Sequence, residues 1–453
     1  MSTERIANFI ANTSYEKIPE EAIPVAKMCI LDGLGVALAG SREPAGRIIT
    51  EYANNCGGRP ESAVIGGGFK TNIQLAALAN GTLVHILDYD DHAITWMGHP
   101  TSVLLPPIIA FAERDHLSGQ QILEAYIIGW EVGSKLSNNL SLSLTEQGWH
   151  PTATVGTLAA TAACGKLVKL NSRQMSTALG IAASEAAGLR QNFGTDTKAL
   201  QVGKAGANAA LAIILTQMGF TASQTILEGP FGFSRVFGKK ECDLNAIAQE
   251  LGDPFDISTS YAVKPYPCCG LFQRSIDAML HLVKKYPFSP DQLAEVECLI
   301  PSMLREIMFD SRPETGLQGK FSLRYCIATA LVDRNVTLHH FTDEKVQYST
   351  AQGLMPKVKL SYNESITGEN LLNIPQTVRV KLQDGTEYAH AVAWPVGYSC
   401  NPLGWDEVVS KFNDCADGIL SPGEIDEAIS LISKLQSLTS ISELMAIVSK
   451  TKP

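Results

Sequence analysis

The sequence predicts a mainly α protein: a large all-helical domain with a smaller α+β domain inserted into it. Three observations predict this. From residue 4 to about 262 the chain is a succession of long, Ala-rich helical patterns broken by Gly and Pro at loop-like intervals. From about 263 to 402 the texture changes to alternating runs around one helical pattern. From 403 to 453 the helical texture returns, so residues 1–262 and 403–453 are assigned to one domain and 263–402 to the insertion. A chain of 453 residues, 45% hydrophobic and 18% charged, has enough apolar sequence for two such cores.

Each element has its own signal. "PEEAIPVAKMCILDGLGVALAG" (19–40) carries acidic residues early, apolar residues nearly all round and Gly at its close, as a buried helix requires. "HPTATVGTLAATAACGKLVKL" (150–170) and "SRQMSTALGIAASEAAGL" (172–189) are similar, and their small residues let helices approach closely. In "AEVECLIP" Val296, Cys298 and Ile300 alternate with Glu295, Glu297 and Leu299, a strand pattern. "KFSLRYCIATALVD" reads as a helix, and "TVRVKLQDGTEYAHAVA" as two strands joined at Asp384-Gly385. In "SPGEIDEAISLISKL" Ser421 is placed to cap a helix, with Pro422 at its first position and Glu424 three residues after the cap.

Charge narrows the function classes. A net charge of -10 and an isoelectric point near 5.5 argue against a nucleic-acid backbone or an anionic membrane as the main partner. The N-terminus lacks a basic leader before an apolar core, and the apolar run Val103 to Ala112 is too short to span a membrane and contains Pro106 and Pro107. A soluble, cytoplasmic protein is expected. Ten cysteines without paired CxxC spacing, Cys242 among them, fit reduced thiols better than a disulfide framework or structural zinc. No GxSxG elbow, GxGxxG after a strand, or Walker loop is present, which removes support for serine hydrolases, nicotinamide enzymes and nucleotide hydrolases.

The ionisable residues concentrate in "LVHILDYDDHAITWMGHPTSVLLPPIIAFAER" (83–114), where Asp88, Asp90, Asp91, His92 and His99 lie between apolar flanks. If 83–92 is helical, Asp88 and His92 share a face, and a carboxylate beside an imidazole raises its basicity and orients its ring for proton transfer. A solvated loop is the plain alternative. A metal site is the third reading, but HExxH and the spacing of a calcium loop are both absent, so no metal is assigned.

Lys198 and Lys204 stand near the N-terminal end of an Ala-rich helix, where they form an anion site or merely cap it. Pro265 and Pro267 hold Lys264 on an extended strut, suited to binding a carboxylate or donating a proton, or else to a stiff hinge. His150 precedes a proline and a small-residue helix, a placement that is structural as often as chemical.

"LDYDDHAITWMGHPTS", "GWHPTATVG", "GTDTKALQVGKAG", "KPYPCCGLFQRSIDA", "GKFSLRYCIATAL" and "NPLGWDEVV" together resemble the MmgE/PrpD family, in its order and over nearly the whole chain. The resemblance implies a cofactor-independent homodimer with a helical domain and an inserted α+β lid, acting on a small di- or tricarboxylic acid by proton transfer next to a carboxylate. Loss of water, loss of carbon dioxide or inversion are its outcomes, so a lyase is expected first and an epimerase or a non-catalytic carboxylate binder second. By position the family's aspartate matches Asp88, its histidine before proline His99, and its lysines Lys198 and Lys264, which with His92 form the expected catalytic set. His150, Gln201, Lys204, Cys269 and Gln273 are the expected substrate-binding set. His92 stands where many members have threonine, Gln201 and Gln273 where they have histidine, Lys204 where they have arginine, and Cys269 where decarboxylase members have histidine. Glutamine keeps hydrogen bonding but carries no proton at neutral pH.

Overall fold

The structure, a computed structural model, describes residues 1–238, 243–306, 308–309, 311–366 and 374–451, so Cys242 lies outside the described residues. The first half is built from α1 (Ser2–Asn12), α2 (Ala22–Gly40), α3 (Pro44–Cys56), α4 (Ile73–His85), α5 (Pro100–Asp115), α6 (Gly119–Glu146), α7 (Pro151–Leu167), α8 (Ser172–Ser184) and α9 (Thr197–Gln217). The short helices α10 (Phe233–Phe237), α11 (Leu244–Glu250) and α12 (Ile257–Ser260) follow. After the middle region, α18 (Trp405–Ala416), α19 (Pro422–Ser433) and α20 (Ser442–Val448) return to pack on the first half, α18 against α2. The chain is mainly α, as expected.

The middle region holds α13 (Gln273–Lys285), α14 (Gly316–Lys320), α15 (Leu323–Asp333), α16 (Asp343–Tyr348) and α17 (Thr350–Leu354). Its four-stranded sheet has the order β6 (Val358–Asn363), β5 (Leu293–Pro301), β7 (Gln376–Leu382), β8 (Glu387–Val392), with only the β5–β6 pair parallel. Val296, Cys298 and Ile300 of β5 and Val378, Val380 and Leu382 of β7 point inward, against α13 and α15. The β7–β8 hairpin turns at Gly385 with φ +90°, which glycine adopts without strain. Ser421 caps α19 in a capping box with Glu424, as its sequence indicates. The strand β6 was not anticipated, because its edge position leaves most of "VKLSYN" half-buried and removes the clean alternation.

Among the described residues two large apolar clusters result, with a small third one at Val36, Leu87 and Cys415. One runs from Ile6 to Val263 and resumes from Val408 to Val448, and the other runs from Cys268 to Leu382. The helical part also contains two short strand pairs that its Ala-rich texture does not signal: β1 (Ser62–Ala63) with β2 (Lys70–Thr71), and β3 (His92–Ala93) with β4 (Tyr261–Ala262). The helices α2 and α9 are long and apolar enough to cross a membrane, but 83% and 67% of their apolar windows are buried inside the protein.

A close helix contact between α4 and α9 sets up the site. A Cβ on Gly203 of α9 would stand 2.2 Å from the Leu78 carbonyl oxygen of α4, and one on Gly81 would stand 2.8 Å from Gly203 Cα. The two helices therefore cross backbone to backbone, which only glycine permits at these positions. Gly203→Ala should cost about 1–3 kcal/mol, the usual penalty for overpacking, read as a lower urea midpoint, whereas Gly423→Ala, with open space around its Cβ, should not.

Candidate active site

The helix α4 starts with Asn72 accepting from Leu75 N at 3.0 Å and ends at His85. The sequence expectation of a helix through His92 is corrected here. Three residues past the end of α4, Asp88 takes φ +50°, a left-handed conformation, and His92 lies in β3 rather than on a shared helical face. Pairing of His92 with Ala262 then draws the 261–264 segment against the Asp88 turn. This short ladder brings together residues about 170 positions apart.

His99 and His150 are placed by a common device. Each is the N-cap residue of a helix whose first residue is proline, α5 and α7 respectively. The proline holds the preceding histidine extended and starts the helix with its φ already set. The two caps also touch, since His99 N donates to Thr152 Oγ1 at 3.2 Å.

The carboxylate of Asp88 is the hub. Its Oδ1 lies 2.8 Å from Lys198 Nζ, 3.2 Å from Lys264 Nζ and 3.5 Å from His99 Nε2. Asp90 takes the other side of the histidine cluster, with Oδ2 2.9 Å from His85 Nδ1 and 3.3 Å from His99 Nδ1. The His85 and His99 ring centroids are 4.5 Å apart, and those of His92 and His99 are 5.7 Å apart. Gln201 Nε2 donates to Leu189 O, which turns its Oε1 toward His150 Nδ1 at 2.8 Å. His150 therefore donates from Nδ1 and keeps Nε2 as an acceptor. Asp91 faces away, accepting from Thr101 N at 3.1 Å and Thr101 Oγ1 at 2.7 Å.

Part of this cluster borders a cavity of about 460 Å³ between the two large apolar clusters. Among the expected residues, Asp88, His92, His99, His150, Lys198 and Cys269 line it. Lys264 does not: it is buried behind Asp88, with its ammonium spent on that residue's carboxylate and carbonyl. Gln273 is also out of the cavity, donating to Tyr266 O at 3.1 Å and accepting from Tyr266 N. Lys204 is exposed and apart from the site, because six residues on an α-helix turn it about 240° from Lys198. Lys198 itself is buried.

The sequence reading missed several cavity residues. Arg190 and Arg274 line the cavity and are anchored by main-chain carbonyls, Arg190 to Thr145 O at 2.6 Å and Arg274 to Ala393 O at 2.8 Å. Tyr398 closes another wall, and His85 and Asp90 complete the buried cluster. Arg274 adjoins Gln273 in the junction segment, but only the fold shows which of the two turns inward.

Among the described residues, His85, Asp88, Asp90 and His99 offer donor atoms within 4.8 Å of one another, close enough to hold a metal ion. Asp88 Oδ1 already faces two ammonium groups, and Asp90 Oδ2 two imidazoles. A dication there would displace or face those lysines, so the donor set fits an internally neutralised cluster better than a metal site.

Residues 4–244 match the family model for the MmgE/PrpD N-terminal domain, and residues 266–436 match that for the MmgE/PrpD C-terminal domain. The chain is similar to the cis-aconitate decarboxylase of Aspergillus terreus, 27% identical over 98% of this chain and 95% of that protein. It is 26% identical to the cis-aconitate decarboxylases of Mus musculus, over 98% and 92% of the two chains, and of Homo sapiens, over 100% and 95%.

Burial sets the protonation states. It pushes Asp88 and Asp90 up, but Lys198 and Lys264 at Asp88, and His85 and His99 at Asp90, hold both well below the usual carboxylate range. Burial lowers all four site histidines, His85 to about 4, with the nearby lysines lowering them further. Burial also pushes the Cys269 thiol up to about 12, so it is no proton carrier at neutral pH. A depressed imidazole stays neutral until the pH falls to its folded value. NMR of the ligand-free protein labelled at histidine should therefore show His85 neutral at pH 7 and titrating near pH 4. Titration near its ordinary 6.5 would contradict this charge arrangement.

Proposed function

The chain belongs to the MmgE/PrpD family, and from that premise we propose that it is a cofactor-independent lyase acting on a small di- or tricarboxylic acid, with decarboxylation as the first choice. The observation that carries the reading is the Asp88 and Asp90 cluster with His92, His99 and His150 at the wall of a cavity that also presents Lys198, Arg190 and Arg274. Carboxylate–imidazole contacts serve proton transfer, and cationic side chains serve carboxylate recognition. The expected homodimer and the cytoplasmic location belong to the same proposal, as does the division into a body (1–262 with 403–453) and a lid (263–402), which the two family models and the two large apolar clusters support.

Arg190, Arg274 and Lys198 bind the substrate carboxylates. The carbon–carbon bond to one carboxylate breaks, carbon dioxide leaves, and the electron pair it leaves behind is delocalised toward a retained carboxylate. Lys198 stabilises that developing charge. A proton from an imidazolium then reaches carbon. His92 and His99 are the candidates for that donor, since both line the cavity and the His92 Nδ1 has no hydrogen-bond partner among the described residues. Burial keeps these histidines neutral, but an anionic substrate favours the charged imidazole. Substrate and proton therefore enter together. Lys264 acts from behind, holding Asp88 ionised and in place.

The test is proton NMR in heavy water with metal-stripped protein and cis-aconitate, citrate, 2-methylcitrate and iminodisuccinate. The expected result is a decarboxylated product carrying solvent deuterium at carbon, with turnover lowered about 100-fold or more in Asp88→Asn and Lys264→Ala, the scale of general acid–base catalysis. A dehydrated product would move the assignment to a hydro-lyase. Exchange into unchanged substrate would mark an epimerase, and thermal protection without chemistry a carboxylate binder.

A further inference from the structure

Three lysines from three distant segments converge on successive carbonyls of the turn that carries Asp88. Lys320, the last residue of α14, donates to Leu87 O. Lys264 donates to Asp88 O at 2.8 Å. Lys411, on α18, donates to Tyr89 O at 2.7 Å and to Lys264 O at 2.9 Å. Its ammonium also lies 2.6 Å from Asp32 Oδ1 and 3.7 Å from the centre of the Tyr89 ring. Neither Lys320 nor Lys411 lines the cavity, and nothing in the proposed chemistry uses them.

We propose that Lys320 and Lys411 are positioning residues which, together with Lys264, clamp carbonyls 87, 88 and 89 and so fix the left-handed turn that aims the Asp88 carboxylate at His99 and Lys198. A non-glycine residue at φ +50° needs surroundings that over-determine its conformation. Each clamp comes from a separate part of the chain, so the turn takes its working shape only when α14, the 261–264 segment and α18 are all docked. Lys320 adds a second link, since its own carbonyl accepts from Cys269 N at 3.1 Å and the neighbouring Phe321 ring lies 5.6 Å from Lys198 Nζ. It thereby joins the α+β region to both sides of the reacting carboxylate.

The charges around Lys320 separate this role from a merely structural one. Its ammonium sits 5.6 Å from the Phe341 ring, among Glu43, Asp88, Cys268 and Lys264, with Asp343 beside Glu43. Burial outweighs the attraction of these neighbours and pushes its pKa down to about 8. Burial likewise pushes Asp32 up to about 6 in spite of Lys411. Burial thus works against the charge on both groups, while their contacts tie them to the turn that carries Asp88.

The inference relies on the proposed function only in taking Asp88 as the working carboxylate, and it is tested with and without substrate. Lys320→Met keeps the side chain's length and removes its charge. In this variant, hydrogen exchange of the amides of residues 86–91 should rise about 10-fold or more, as for loss of one charge-assisted hydrogen bond. With the acid that is turned over, kcat should fall about 10-fold or more while KM changes less than about 3-fold, because Asp88 positions the transition state rather than holding carboxylates. The melting temperature should stay within about 4 °C of the parent, and Lys320→Arg should restore the slow exchange. The paired replacement Asp32→Asn with Lys411→Met removes the second clamp without stranding a charge and should give the same pattern. Parent-like exchange and kcat in both variants would overturn the inference, as would loss of the fold in both, which would make the lysines structural. Because exchange is read without ligand, its outcome stands apart from any failure to find a substrate.

Discussion

The burial of the Asp88 carboxylate is the constraint on which the rest of the site depends. An ionised carboxylate inside a protein is tolerated only with full compensation, and here Lys198 and Lys264 supply charge while Lys320, Lys264 and Lys411 hold the adjoining carbonyls. The cationic groups come from α9, the 261–264 segment, α14 and α18, so one side chain draws four separate stretches of chain to a point. This also explains how a protein with a net charge of -10 builds a basic cavity. The positive groups are gathered around buried acids rather than spread over the surface.

Packing then determines whether that convergence is accurate. Glycine against glycine at the α4–α9 crossing fixes the distance between the helix that ends at the Asp88 turn and the helix that starts with Lys198. The two-residue pairing of β3 with β4 fixes the approach of Lys264. A similar close fit occurs at Gly133, where an added Cβ would lie 1.8 Å from the buried Trp96 ring, close to the loop that leads to His99. Small residues in these helices serve geometry at the site as much as helix association.

Much of this was legible in the chain and some was not, for definite reasons. The capping box at Ser421, the Asp384-Gly385 hairpin and the buried helix after Pro19 depend on local chemistry, and each formed as read. The His-Pro steps at 99 and 150 were visible as residues, but their shared role as helix caps facing one cavity was not. The Asp88–His92 helical face was misread because a left-handed aspartate has no firm sequence signal, while tertiary contacts hold it there. Lys204 failed as a site residue on helical geometry alone. Arg190, Arg274 and His85 were missed because arginine or histidine in a sequence does not disclose which way it points.

The placement of Lys264 bears most directly on how the cavity works. A lysine on a strut stiffened by two prolines invites the role of carboxylate ligand, yet its ammonium lies behind the wall, and the cations facing the cavity are Lys198, Arg190 and Arg274. Lys264 keeps its proton because Asp88 and Asp90 outweigh the cost of its burial, so it is a fixed charge and not a proton carrier at neutral pH. The Asp88 carboxylate is equally fixed, being held ionised by Lys198 and Lys264, while Asp90 is held low by His85 and His99. The labile protons are left to the imidazoles, which burial keeps neutral. In the proposed reaction, therefore, the acids and lysines set the field, and the histidines respond to the substrate.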